Sequence, residues 1–312
     1  MATAEIASQP SAPRVEKRPA SAGLWGDALW RLRRDPTTLT AFAILVVIAI
    51  IALAADVLAQ NFFHHSFTQQ SLLDNYTPPT LSDEPYLWLG TDDLGRSQIV
   101  RLMYGARVSL AVGLFGALVA MAVGVTLGIS AGFFRGWWDD VVQWVVNTLS
   151  NIPFLFLFLF IFAYFRPDPV PFTILLGLLG WLGIQLQARG LTFSLREREY
   201  TTAARTVGAT PFRIMFRHIL PNCLPLLIIV AMTDVANLIL TESALSYIGF
   251  GIQPPVASWG NMLTRATQFT TKGPWLIYAP GAMIFITVLC LYVIGDGLRD
   301  ALDPRLRGSE KR

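Results

Sequence analysis

The chain has 312 residues, of which 53% are hydrophobic and only 14% charged, with a mean hydropathy of +0.49 and a net charge of +3. A soluble domain carries about a quarter charged residues, so this composition excludes a disordered chain, a coiled coil and an ordinary soluble enzyme. Two cysteines exclude a disulfide framework, and the small net charge argues against nucleic acid as a partner.

Charge is nearly absent from six windows, 39–59, 108–134, 141–165, 170–188, 219–241 and 274–295, which contain only Asp56 and Asp234. About 20 residues of helix cross the roughly 30 Å hydrocarbon core, and in lipid every backbone polar group must be paired internally. The unbroken apolar run over 154–162 does not suit a barrel, whose strands alternate. The windows therefore predict six transmembrane helices in an all-α polytopic membrane protein. With both termini cytoplasmic, eighteen Lys and Arg fall on the inner side and six on the outer, which is the orientation that basic residues dictate. A cleaved signal peptide fits the first window poorly, because 38 residues precede it.

Residues 1–23, rich in Ala, Ser and Pro, read as a disordered cytoplasmic tail. Segment 24–60 reads as an interfacial helix and the first span. Leu24, Trp25, Ala28, Leu29 and Leu32 share one helical face beside Arg31, Arg33 and Arg34, and Pro36 suits the first turn of the next helix. Segment 61–106 is an extracytoplasmic loop, with His64 and His65 solvated or interfacial and a short interfacial helix over 97–104. Segment 107–298 is the transmembrane domain, followed by a cytoplasmic tail at 299–312. Gly113, Gly116, Gly124 and Gly128 recur at spacings that permit close helix packing in the second span. In the last outer loop, Tyr247, Phe250 and Trp259 read as interfacial anchors. Cys223 and Cys290 read as free thiols within spans.

Polar residues within spans are expensive and point to function. Asp234, Asn237 and Thr241 share one helical face, with Glu242 next in line, and Asn147 and Asn151 lie one turn apart. They are expected to line a translocation path. The competing reading is hydrogen bonding between helices.

The inner loop 189–218 is too polar to span. Residues 199–207 predict a short helix closed by a left-handed cap at Gly208. Thr210 caps the next helix, Pro211 fits its first turn, and Phe212, Met215, Phe216 and Ile219 recur at helical spacing. Ala203, Ala204 and Gly208 present little side chain, which lets another backbone approach. The loop reads as a docking element for a cytosolic protein, against the alternative of a helix packed on its own chain.

Thr202-Ala203-Ala204, then Gly208 beyond three intervening residues and His218-Ile219-Leu220-Pro221 beyond nine more, resemble the EAA loop of ATP-binding cassette (ABC) importer permeases, with Thr202 in the Glu slot and His218 in the Ile slot. Gly90-Thr91-Asp92, Gly95-Arg96, Tyr104-Gly105-Ala106-Arg107, Ser258-Trp259-Gly260-Asn261 and Gly295-Asp296-Gly297 are similar to motifs of the dipeptide/oligopeptide/nickel branch. The resemblance runs from about Trp25 to Arg307. It implies the type I ABC importer permease (MetI-like) fold and inward movement of peptides, or a similar small solute, by alternating access. It places Glu199, Tyr200, Thr202, Ala203, Ala204, Arg205, Gly208 and Phe212 against an ATPase, with Glu199 standing in for the missing loop glutamate. Its implied partners are a homologous permease chain, two cytosolic ABC ATPase subunits and an extracytoplasmic substrate-binding protein.

Lys17, Lys272 and Lys311 are the only lysines, and none lies in a Gly-x4-Gly-Lys-Ser/Thr phosphate cradle. The chain is therefore expected to be no enzyme and to hold no cofactor or metal, with ATP and Mg bound by the partner ATPases. The competing function is a proton-coupled secondary transporter using Asp234 or Glu242. No inverted repeat or matching pair of broken spans favours it.

Overall fold

A computed structural model describes residues 24–164, 168–264 and 266–302. The expected tail 1–23, the span end at 165, and the last ten residues of the expected tail 299–312 lie outside the described residues, as do Arg166 and Arg265. The side chains of Leu24 and Trp25 are likewise not described.

Helix α1 (Leu24–Leu32) leads into α2 (Pro36–Leu53). The start of α2 follows from local chemistry. Asp35 accepts from the Thr37 N–H at 3.0 Å and from the Thr38 hydroxyl, and Pro36 occupies the first turn. These bonds, that of Thr38 first, hold the Asp35 carboxyl below its ordinary pKa. The first span is shorter than its apolar window: it breaks at Ala54, and α3 (Ala55–Asn61) follows as a separate helix.

Helix α4 (Gln98–Phe134) is the axis of the molecule. It absorbs residues 98–104, which the sequence reading assigns to a separate interfacial helix, because the Ser97 cap starts a helix that nothing interrupts. Its glycines are contact points. A Cβ at Gly113 would lie 2.6 Å from Ile239 Cγ1. One at Gly124 would lie 2.8 Å from Ile184 Cβ, and one at Gly128 2.6 Å from the Gln185 carbonyl oxygen. The backbones approach closely because the side chains are missing.

The third and fourth windows are each two helices. Helix α5 (Gly136–Ser150) and α6 (Phe154–Tyr164) meet at 82°, and α7 (Pro169–Gly180) and α8 (Leu182–Arg196) at 43°. Pro153 explains the first break, since it cannot donate to the ladder and restricts the residue before it. These breaks fall in consecutive windows, not in corresponding positions of two halves. The segment α9 (Glu199–Thr206) and α10 (Pro211–Ile214) leads through a π-turn at Met215–Ile219 into α11 (Leu220–Tyr247). Helices α12 (Trp259–Met262), α13 (Ala266–Lys272) and α14 (Trp275–Leu302) complete the described residues. Among the described residues, four helices are long and apolar enough to cross a membrane, or up to six spans if each bent pair counts as one.

Buried clusters run along α4. Val112 and Ala117 pack with Phe158, Phe172, Leu176 and Ile239, while Ile129 and Phe133 pack with Ala188, Met215 and Ile219. Helix α14 closes on α2, where a Cβ at Gly297 would collide with Thr38 Oγ1 at 2.0 Å.

Candidate functional site

The segment between α8 and α11 is an elbow. Helix α9 ends where Gly208 takes φ +80 and its N–H donates to the Arg205 carbonyl at 3.0 Å, and Ala209 N–H donates to Ala204 at 3.0 Å. Thr210 accepts from Arg213 N–H at 3.4 Å and Pro211 opens α10. Both features follow the sequence expectation, but the segment is shorter. Arg189 to Arg196 are still within α8, and Arg189 forms a two-pronged ion pair with Asp139 of α5 at 2.6 and 2.7 Å.

The elbow offers small and apolar surface outward. Val207 is 83% exposed, Phe212 67% and Phe216 64%, and Ala203 is exposed. The expected stripe of Phe212, Met215, Phe216 and Ile219 is divided, with Met215 and Ile219 buried against α4 and the two phenylalanines outside. The π-turn adds a residue to the turn there and rotates the stripe. A groove of about 620 Å³ runs between Tyr200, Ala203, Val207, Arg213, Arg217 and His218. Tyr200 and His218 face each other with ring centroids 6.5 Å apart. Glu199 is exposed at the start of α9, Thr202 turns its hydroxyl back to the Arg198 carbonyl at 3.4 Å, and the Arg205 guanidinium lies 5.4 Å above the Phe133 ring. A Cβ at Gly208 would meet nothing within 4 Å.

The polar residues of the spans separate into two groups. Asn147 and Asn151 are exposed, and Asn151 Nδ2 donates to the Asn147 carbonyl at 2.7 Å. Asn237 Oδ1 accepts from the Tyr292 hydroxyl of α14 at 2.9 Å, and Thr241 donates to the Asn237 carbonyl at 2.7 Å. Asp234 has one buried oxygen, Oδ2, with no hydrogen-bond partner among the described residues. Glu242 belongs elsewhere. Expected to line the path just beyond the 219–241 window, it sits inside α11, fully buried. Ser246 donates to it at 2.7 Å and Ser109 at 3.2 Å. Ser109 Oγ in turn accepts from the Trp259 N–H at 3.2 Å, so Glu242 braces α4, α11 and the 258–262 turn from within. Trp259, expected as an interfacial anchor, is fully buried and donates from Nε1 to the Leu102 carbonyl at 3.1 Å. His65 is buried as well, stacked on Tyr86 at 4.5 Å.

One further pairing lay outside the sequence reading. Asp56 accepts from the Tyr104 hydroxyl at 2.6 Å and lies 3.0 Å from Arg107. A lone carboxylate in an apolar window demands such a partner, and Arg107 beside the second window was the available cation.

A bundle of long apolar helices with an exposed apolar elbow at one end is the layout of a multi-pass membrane protein. The chain belongs to the family described as binding-protein-dependent transport system inner membrane component, which matches residues 124–308, and residues 23–79 match the N-terminal TM domain of oligopeptide transport permease C. The oligopeptide transport system permease protein OppC of Bacillus subtilis (strain 168) is 33% identical over 296 residues, covering 95% of this chain and 94% of that protein. OppC of Haemophilus influenzae is 36% identical over 284 residues, covering 91% and 89%. The dipeptide transport system permease protein DppC of B. subtilis is 34% identical over 292 residues, covering 93% and 88%. The protein is thus a permease subunit of an ABC importer, a translocating chain of the inner membrane, with the MetI-like fold expected of it. That assignment replaces the secondary-transporter reading.

Proposed function

We propose that this subunit carries di- or oligopeptides inward, powered by separate ATPase subunits that dock on the 199–212 elbow. The observation that carries this reading is the elbow itself, a rigid turn at Gly208 flanked by exposed Ala203, Val207 and Phe212 beside the groove at Tyr200. Exposed apolar surface of this kind marks an interaction site. Glu199, Thr202, Ala204 and Arg205 complete the contact. The cargo class is supported by the oligopeptide and dipeptide permeases to which the chain is similar.

In the full assembly a second, homologous permease chain completes the path, two cytosolic ATPases bind ATP and Mg, and an extracytoplasmic binding protein delivers cargo. The excess of Lys and Arg supports a cytosolic position for both termini and the elbow. ATP-driven closure draws the elbows together and opens the path outward. Asp234, Asn237, Thr241, Asn147 and Asn151 line that path. The domain division at 24–60, 61–106 and 107–298, with tails outside, follows the same topology, with α4 reaching back into the outer loop as far as Gln98.

The test is copurification of ATPase with Gly208→Arg. The open space at Gly208 accepts the side chain, and the positive φ costs about 1 kcal/mol, so the chain still inserts while ATPase is lost. Gly208→Asn, which tolerates this φ, retains it. Full retention of ATPase by the arginine variant refutes the docking assignment. Labelling a cysteine placed at Ala203 from outside intact cells refutes the orientation.

A further inference from the structure

We propose that the cavity beside the first turn of α4 is a carboxylate-binding site whose donors are Arg101 and Gln98. The cavity has a volume of about 320 Å³ and lies between the 92–101 segment and the 253–276 segment, at the end of the bundle opposite the elbow. Arg101 and Gln98 both line it, three residues apart and so on one helical face. Arg101 is 4% exposed and Gln98 2%. Arg101 Nη1 and Gln98 Nε2 are both buried without a hydrogen-bond partner among the described residues. Buried polar groups are nearly always satisfied, so two orphaned donors at one cavity require an explanation.

The neighbouring polar groups do not supply it. Asp92 Oδ1 accepts from the N–H groups of Leu94 and Arg96, at 2.9 and 3.0 Å, and Oδ2 from Arg96 Nε at 2.7 Å. Arg101 Nε stays 3.7 Å from that oxygen, outside hydrogen-bond range. Asn261 gives its amide hydrogens to the Ile252 and Val256 carbonyls and accepts from Ser258. Asp92 is thus hydrogen-bonded to Arg96 and its own turn and meets Arg101 only as an ion pair at 3.7 Å, so Arg101 Nη1 keeps no hydrogen-bond partner beside the cavity.

The chemistry of the missing partner follows. It must be an acceptor, because both open groups donate only. An anionic acceptor binds such donors more strongly than a neutral one, because a hydrogen bond between a guanidinium and a carboxylate is charge-assisted. A single negative charge fits better than two, since Asp92 and Asp93 also line the cavity and would repel a dianion. Met262, Phe269 and Leu276 form an apolar wall on which a side chain rests. A carboxylate attached to a short apolar group meets all these conditions, and a guanidinium with an adjacent amide N–H holds its two oxygens. Two sources share this chemistry: the free C-terminus of a peptide cargo and an acidic side chain of the binding protein. This identification of the source rests on the importer reading, whereas the donor pair does not.

The experiment uses the full-length chain in nanodiscs with its copurified subunits, without nucleotide. Trialanine and trialaninamide serve as probes, and the binding protein is titrated separately. With cargo as the source, wild type binds trialanine roughly tenfold more tightly than the amide, and Arg101→Met and Gln98→Met each abolish the preference. With the binding protein as the source, the two peptides bind alike and each variant weakens capture of the binding protein roughly tenfold. Gln98→Met keeps volume and charge, so it reports even where Arg101→Met fails to insert. The proposal is overturned if Gln98→Met, with an unchanged thermal midpoint, alters neither the peptide preference nor binding-protein capture; the donors are then met by water alone. Absence of ATP-driven peptide uptake by wild type strikes the importer reading and leaves this comparison intact.

Discussion

The two ends of the bundle are built on opposite plans. At the end near Trp259, the α11 carboxylate and the 258–262 turn are enclosed and paired: Glu242 accepts from Ser109 and Ser246, Trp259 donates to the Leu102 carbonyl, and Ser258 and Asn261 form a reciprocal cap. At the elbow, by contrast, α9 carries small side chains, Val207 projects outward, and an added Cβ at Gly208 meets open space. The first end is stabilised by its own chain. The second presents small and apolar surface that, on the proposed reading, another protein covers. A subunit that transmits motion needs both, one end that holds its geometry and one that exchanges contacts.

The largest way to break this comparison is Trp259→Ala. Removing a fully buried indole and its bond to Leu102 should cost about 3–5 kcal/mol, read as a lowered thermal midpoint in detergent; an unchanged midpoint would dissolve the contrast. Next comes Gly128→Val. Its Cβ would press on the Gln185 carbonyl at 2.6 Å, so a loss of about 1–3 kcal/mol is expected, and a neutral result would mean that α4 and α8 are free to separate. Val207→Ser sharpens the other side: intrinsic stability should stay within about 0.5 kcal/mol while retention of ATPase on copurification falls. If unfolding shifts instead, the elbow is structural.

The smallest effect concerns pH. Burial depresses the His65 pKa below its ordinary value of 6.5, against smaller opposing effects of Gln69 and Asp74. The folded state therefore binds fewer protons there than the unfolded state. The stabilisation is present above the unfolded pKa and is lost as pH falls below it toward the lower folded value. The hydrogen-exchange protection factor around Tyr86, corrected for the intrinsic rate at each pH, should fall over that acidic window in wild type and lose this dependence in His65→Phe. Identical profiles would show that His65 does not govern the segment.

Much of this arrangement was legible in residue order. The Gly208 turn, the Thr210 cap and the Pro36 start are local: each depends on one residue's backbone preference and a neighbour within four positions. The α4 glycines announced close packing through their spacing. What was not legible depends on pairs far apart. Glu242 read as a path residue because its partner Ser109 lies 133 positions away. Trp259 looked like an interfacial anchor because composition does not reveal whether a ring points to lipid or to Leu102. The bends at 82° and 43° were hidden because an apolar window has the same hydropathy whether its helix is straight or broken.

Hydropathy and Lys/Arg placement were sufficient for the all-α class, the number of apolar windows and the expected orientation, since these are sums over local transfer energies. The tertiary structure alone decided which polar groups are satisfied. It gave the hydrogen bonds of Asp92 to Arg96 and the local turn, enclosed Glu242 among serines, and left Arg101 Nη1 and Gln98 Nε2 without partners beside a cavity. Hydrogen bonds are directional and short, so their pairing is set by the meeting of distant segments and not by the order in which residues are written.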